Sequence, residues 1–102
     1  MRFLLATVFL SLSTPAVADP VCAVVESLAS MAMGLRQLGR SEADARAEFA
    51  GTNFRGQTAL ALVADFLVTE AYQKPQAAPE RRLDALRDFS RHLHERCLRL
   101  VQ

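Results

Sequence analysis

No apolar run in this chain is long enough to cross a bilayer: the opening segment Phe3–Leu12 is ten residues, about half of the roughly 20 that a hydrocarbon core requires. There is no internal repeat, no low-complexity tract and no linker-like stretch, which excludes a tandem array and gives no sign of a second domain. No Gly-x-Ser-x-Gly elbow is present to hold a nucleophilic serine. Charge of one sign is also missing in excess, with 12 Lys plus Arg against 11 Asp plus Glu. Cysteines number two, Cys22 and Cys97, which permits one bridge at most.

What is there begins with an export signature. Arg2 precedes the apolar segment, Pro15 breaks it, and Ala16-Val17-Ala18 has the small-x-small form of a signal-peptidase site. Residues 1–18 are therefore expected to be a signal peptide, and residues 19–102 a single periplasmic or secreted domain. Asp19, Pro20 and Val21 do not make the small, apolar box that precedes a lipid-modified cysteine, so no membrane attachment is expected after cleavage at Ala18. Removing Arg2 leaves eleven basic against eleven acidic residues. A formally neutral domain has no field to steer it toward nucleic acid or anionic lipid. Its 84 residues, 102 less 18, form a marginal core that a cross-link would help. In an oxidising compartment Cys22 and Cys97 are expected to pair within the chain, a loop closure worth about 4 kcal/mol in the chain-entropy model. Intermolecular pairing and free thiols are the alternatives.

Apolar residues recur throughout at helical spacing, so the fold is expected to be all-α: a small bundle of three long helices and one short one. In the first helix Asp19 reads as the cap, Pro20 as the first position and Gly39 as the stop, and Val21, Val24, Val25, Leu28, Met31, Ala32, Leu35 and Leu38 form its stripe. Ser41 with Asp44 approximates a capping box for a short helix ending near Gly51. "GTNFRG" reads as a turn. The third helix, Gln57 to about Gln73, is apolar on almost every side, with Thr58, Ala61, Asp65 and Thr69 as its solvent strip, and is expected to be the most buried. Pro79 suits the first turn of a last, amphipathic helix reaching about Val101. A Cys22–Cys97 bridge would make the first and last helices lie antiparallel.

Residues with chemical potential are few. His92 and His94 are two apart and point roughly 200° apart on a helix, so they cannot share one metal without help from other helices. Asp88 and His92 do share a face, but Arg87, Arg91 and Arg96 crowd it with positive charge. A solvated, salt-bridged face is the expected reading. Asp65 is the odd charge in an apolar helix; it is a buried acid or an exposed member of the solvent strip, and the strip favours exposure. A bridged Cys97 is no thiolate. No catalytic, cofactor-binding or metal-binding residue is assigned, and no enzyme activity or cofactor is expected. The least ordinary feature is Ala23, Ser27, Ser30 and Gly34 at i, i+4, i+7 and i+11, a face of small residues that admits another helix closely. It either packs inside the domain or meets a partner, a second copy or a foreign protein.

Cys22, "MGLRQLGRSEAD" at 33–44, "TEAYQKP" at 69–75 and the terminal "DFSRHLHERC" resemble pieces of a loose group of small exported helical proteins of proteobacteria and their phages. The resemblance implies a fold and a compartment and brings no functional residues. In size, helicity and a single bridge the chain is also similar to an acid-stress periplasmic chaperone, none of whose sequence motifs is found. The expected function is binding of another, unknown protein, as an inhibitor or immunity-type factor. The alternative is a stress chaperone that loosens when acid protonates its carboxylates and leaves its mostly Arg charges to repel.

Overall fold

The structure, a computed structural model, describes residues 18–52, 54 and 56–101. The expected signal peptide lies outside the described residues apart from Ala18. Four α-helices follow in order: α1 Ala18–Gln37, α2 Glu42–Ala50, α3 Thr58–Tyr72 and α4 Arg82–Val101, the last entered through a single 3-10 turn, Pro79–Arg81. The described residues are all-helical, as the spacing predicts.

Local chemistry explains most of the boundaries. At the end of α1, Gly39 adopts φ 81°, a left-handed conformation that only glycine reaches without a Cβ penalty. The Arg40 N–H donates to the Leu35 carbonyl and the Gly39 N–H to the Arg36 carbonyl, each at 3.1 Å, so two orphan carbonyls of the last turn are satisfied. Ser41 Oγ accepts from the Asp44 N–H at 3.0 Å, which starts α2. Pro79, lacking an N–H, opens the turn that leads into α4. The start of α1 differs from expectation. Asp19 and Pro20 are both helical residues there, since α1 takes in Ala18.

The core is small and rich in alanine. Ala29 and Ala32 of α1, Ala45 of α2, and Ala64 and Ala71 of α3 are buried around Leu28, Met33, Phe49, Leu67, Val68, Phe89 and Leu93. Small side chains at these positions let the backbones approach. The central helix is α1, which packs most extensively on α4, next on α3, while α2 lies mainly against α3. This corrects the expectation for α3. Its strip of Thr58, Ala61, Asp65 and Thr69 is exposed as foreseen, yet Leu62 and Phe66 are also open to solvent, at 67% and 45%. No helix among the described residues covers that side.

Cys22 and Cys97 are bonded within the chain, with Cα atoms 5.6 Å apart. Three contacts track the pairing of α1 with α4: Cys22 with Cys97, Glu26 with His94, and Gly34 facing Leu86. Position rises along α1 as it falls along α4.

Candidate functional site

The bridge divides the molecule into two ends with different chemistry. At the far end a polar clamp closes the junction between α1 and the loop after α3. Gln37, only 2% exposed, accepts from the Ala77 N–H through Oε1 at 2.7 Å and donates from Nε2 to the Pro75 carbonyl at 3.3 Å. Gln76 Nε2 donates in return to the Gln37 carbonyl at 3.1 Å. Arg36 Nε donates to the Lys74 carbonyl at 3.0 Å, and its guanidinium lies 5.4 Å from the Tyr72 ring centroid. The Tyr72 hydroxyl donates to the Arg40 carbonyl at 2.8 Å. Burial raises the Tyr72 phenol pKa above its ordinary value, against the opposing pull of Arg36 and Arg40. Thus "MGLRQLGR" and "AYQKP", set apart in the sequence by their resemblance alone, meet as one structural clamp. Gln37 escaped the sequence reading because a lone glutamine on a helix gives no signal of the loop it will hold.

Beside the clamp lies a cleft of about 400 Å³ walled by Met33, Ala85 and Phe89, with Lys74, Asp88 and His92 also lining it. Asp88 and His92 do share a face, but Asp88 bonds Arg91 at 3.0 Å. His94 points elsewhere: its Nδ1 lies 2.7 Å from Glu26 Oε2 on α1. Among the described residues no three His, Cys, Asp or Glu side chains converge as metal ligands would. Asp65 is exposed and paired with Arg46. The same guanidinium reaches Glu42 at 2.6 Å and Thr69 Oγ1 at 2.8 Å. The hydrogen bond that Arg46 donates to Glu42, more than the charge of Asp65, keeps the Arg46 pKa raised. Asp65 therefore ties α3 to α2.

The small-residue face of α1 is split. Ala23 and Ser27 are exposed, whereas Ser30 and Gly34 are half-buried, Gly34 against Leu86 of α4. On the solvent side Ala23 and Ser27 are joined by Val24 and Met31, 43% and 50% exposed. The two charged residues between Val21 and Gln37 are both turned to neighbours, Glu26 to His94 and Arg36 to the Lys74 carbonyl. Among the described side chains this leaves the outer face of α1 without a charge between Val21 and Gln37.

At the bridge end the surface is more apolar still. A groove of about 300 Å³ runs between α1, α3 and α4, with buried Leu67 and Leu93 as its floor and Val21, Phe66, Leu100 and Val101 along its sides. Among the described residues that line it, Arg96 is the charged one. The guanidinium sits 5.6 Å from the Phe66 ring centroid and bonds Glu70 at 3.3 Å. The groove was missed because its walls come from three helices whose apolar positions read as ordinary core stripes.

These features define an all-helical domain with one bridge and two uncharged or apolar surfaces. Compared with protein-family models, with curated proteins and with solved structures, the chain matches none. No helix among the described residues is long and apolar enough to cross a membrane.

Proposed function

We propose that this chain is a small exported domain that acts without catalysis by binding another protein, as an inhibitor or immunity-type factor, through the outer face of α1. In this reading cleavage after Ala18 releases it to the periplasm, where the Cys22–Cys97 bond persists. It belongs with the loose group of exported, bridged helical proteins whose pieces it resembles. Its first and last helices run antiparallel, a reading supported by the descending series of α1–α4 contacts. The observation that carries the functional reading is the uncharged outer face of Ala23, Val24, Ser27 and Met31. Charged side chains are common on an exposed helix face, and their absence next to small residues suits close approach by a helix of a partner.

The test is capture from periplasmic extract at neutral and acid pH with the wild-type protein and a Ser27→Arg variant. One partner retained at neutral pH by the wild type and lost with Ser27→Arg is the expected result. Equal capture by both would overturn the assigned face, and many clients held only in acid would replace the binder with a stress chaperone.

A further inference from the structure

We infer that Met31 is an oxidation site that closes the outer face of α1, its thioether being converted to the sulfoxide by a peroxide while the other sulfurs from residue 19 onward stay shielded. The site is read from burial and bonding; its effect on a partner rests on the binding role proposed for that face. From residue 19 onward the chain holds four sulfurs, those of Cys22, Met31, Met33 and Cys97. The two cysteines are bonded to each other and neither is a free thiol. The two methionines, two positions apart on one helix, point roughly 200° apart and meet opposite surroundings. Met33 touches the cleft beside the clamp but is only 2% exposed, and its sulfur accepts from Gln37 Nε2 at 3.3 Å. Met31 is 50% exposed and stands outside the core cluster.

The chemistry is the transfer of one oxygen atom. A lone pair of the Met31 sulfur attacks one oxygen of hydrogen peroxide, the O–O bond breaks and an S–O bond forms. The proton on the transferred oxygen leaves with the departing hydroxide as water. Sulfur is thereby oxidised by two electrons and the peroxide is reduced to water. The product is a polar side chain in place of a flexible apolar one. Met31 follows Ser27 by four positions and Val24 by seven, the spacing that puts all three on one stripe. The new S–O dipole therefore enters the uncharged patch itself. A partner helix that closes on the patch must then bury a strong acceptor that has no donor, which costs more than burying the thioether.

Hydrogen peroxide treatment of the bridged protein, followed by peptide mass, reads the site. One added oxygen should accumulate at Met31 at least about tenfold faster than at Met33, and unfolding in urea should erase the difference. The melting temperature should be unchanged by oxidation at Met31 alone. Once the peroxide is removed, the oxidised wild type should capture about tenfold less partner from periplasmic extract than the untreated protein. Met31→Leu, which keeps the apolar bulk and has no sulfur to oxidise, should capture equally before and after treatment. Equal oxidation of Met31 and Met33 in the folded protein overturns the site. Undiminished capture by protein oxidised at Met31, or the same loss in treated Met31→Leu, overturns its effect on the face. Absence of any partner with the untreated protein overturns the binding role and the effect with it, and leaves the site to be decided by mass alone.

Discussion

A buried amide with both its oxygen and its nitrogen engaged leaves two partners stranded when it is cut away. Gln37→Ala would strand the Ala77 N–H and the Pro75 carbonyl, both at a part-buried site where each unmet group costs about 1–3 kcal/mol less whatever water recovers. We expect a loss of about 2 kcal/mol in urea unfolding. Gln37→Met, which keeps the bulk and removes the hydrogen bonds, should lose nearly as much; full recovery by methionine would show that packing and not the clamp matters. Tyr72 makes a pH-dependent contribution at the same junction. Its phenol is held above its ordinary value by burial, so the folded state keeps the proton more firmly than the unfolded chain, whose tyrosine titrates near pH 10. The contribution is full below about pH 10 and is lost as pH rises through the folded value. A phenolate also cannot donate to the Arg40 carbonyl. Stability should therefore fall more steeply above about pH 10 in the wild type than in Tyr72→Phe, followed by thermal melting across alkaline pH. Parallel curves for the two proteins would remove Tyr72 from the account.

At the scale of the helix, Gly34 separates two effects that a single substitution confuses. A Cβ there would lie 3.8 Å from Leu86 Cδ2, an ordinary contact, so Gly34→Ala meets no obstacle and gains helix propensity approaching 1 kcal/mol. Gly34→Leu must push Leu86 aside, and overpacking of that kind costs about 1–3 kcal/mol. We expect the alanine variant to melt above the wild type and the leucine variant below it. If leucine melts no lower than alanine, α4 yields at this point and the α1–α4 contact is softer than described. Helix starts and stops were legible beforehand because they are local: Ser41, Gly39 and Pro79 act within a few residues of themselves. The bridge was legible from two cysteines and an export signature. The exposure of Leu62 and Phe66 was not, since an apolar helix looks the same whether or not another helix covers its last side. The small-residue face was read as one unit, but Ser30 and Gly34 are half-buried, Gly34 against Leu86 of α4, and Ala23 and Ser27 are outside. How far neighbouring helices cover one face along its length is a tertiary quantity. So is the groove, whose walls no single helix contains.

In the whole molecule the bridge and the clamp hold opposite ends of the α1–α4 pair, and they differ in kind. The bridge closes a sequence separation of 75 residues, which restricts the unfolded chain by about 4 kcal/mol in the entropy model. That is a large share of the roughly 4–13 kcal/mol expected for a domain of this size. Reduction should therefore lower the melting temperature strongly and leave a marginal fold. It should also act unevenly. Once Cys22 and Cys97 part, the bridge end retains the Glu26–His94 pair, the Arg96–Glu70 pair and an apolar groove open to water. The clamp end keeps the hydrogen bonds of Arg36, Gln37, Tyr72 and Gln76, none of which involves Cys22 or Cys97. Local opening follows the end with fewer buried contacts. In hydrogen exchange under reducing conditions, amides in the first turns of α1 and the last turns of α4 should lose protection before those around Gln37 and Phe89. Loss at the same rate at both ends would mean that the bridge supports the whole fold through the unfolded state alone, with no local part in holding α1 to α4.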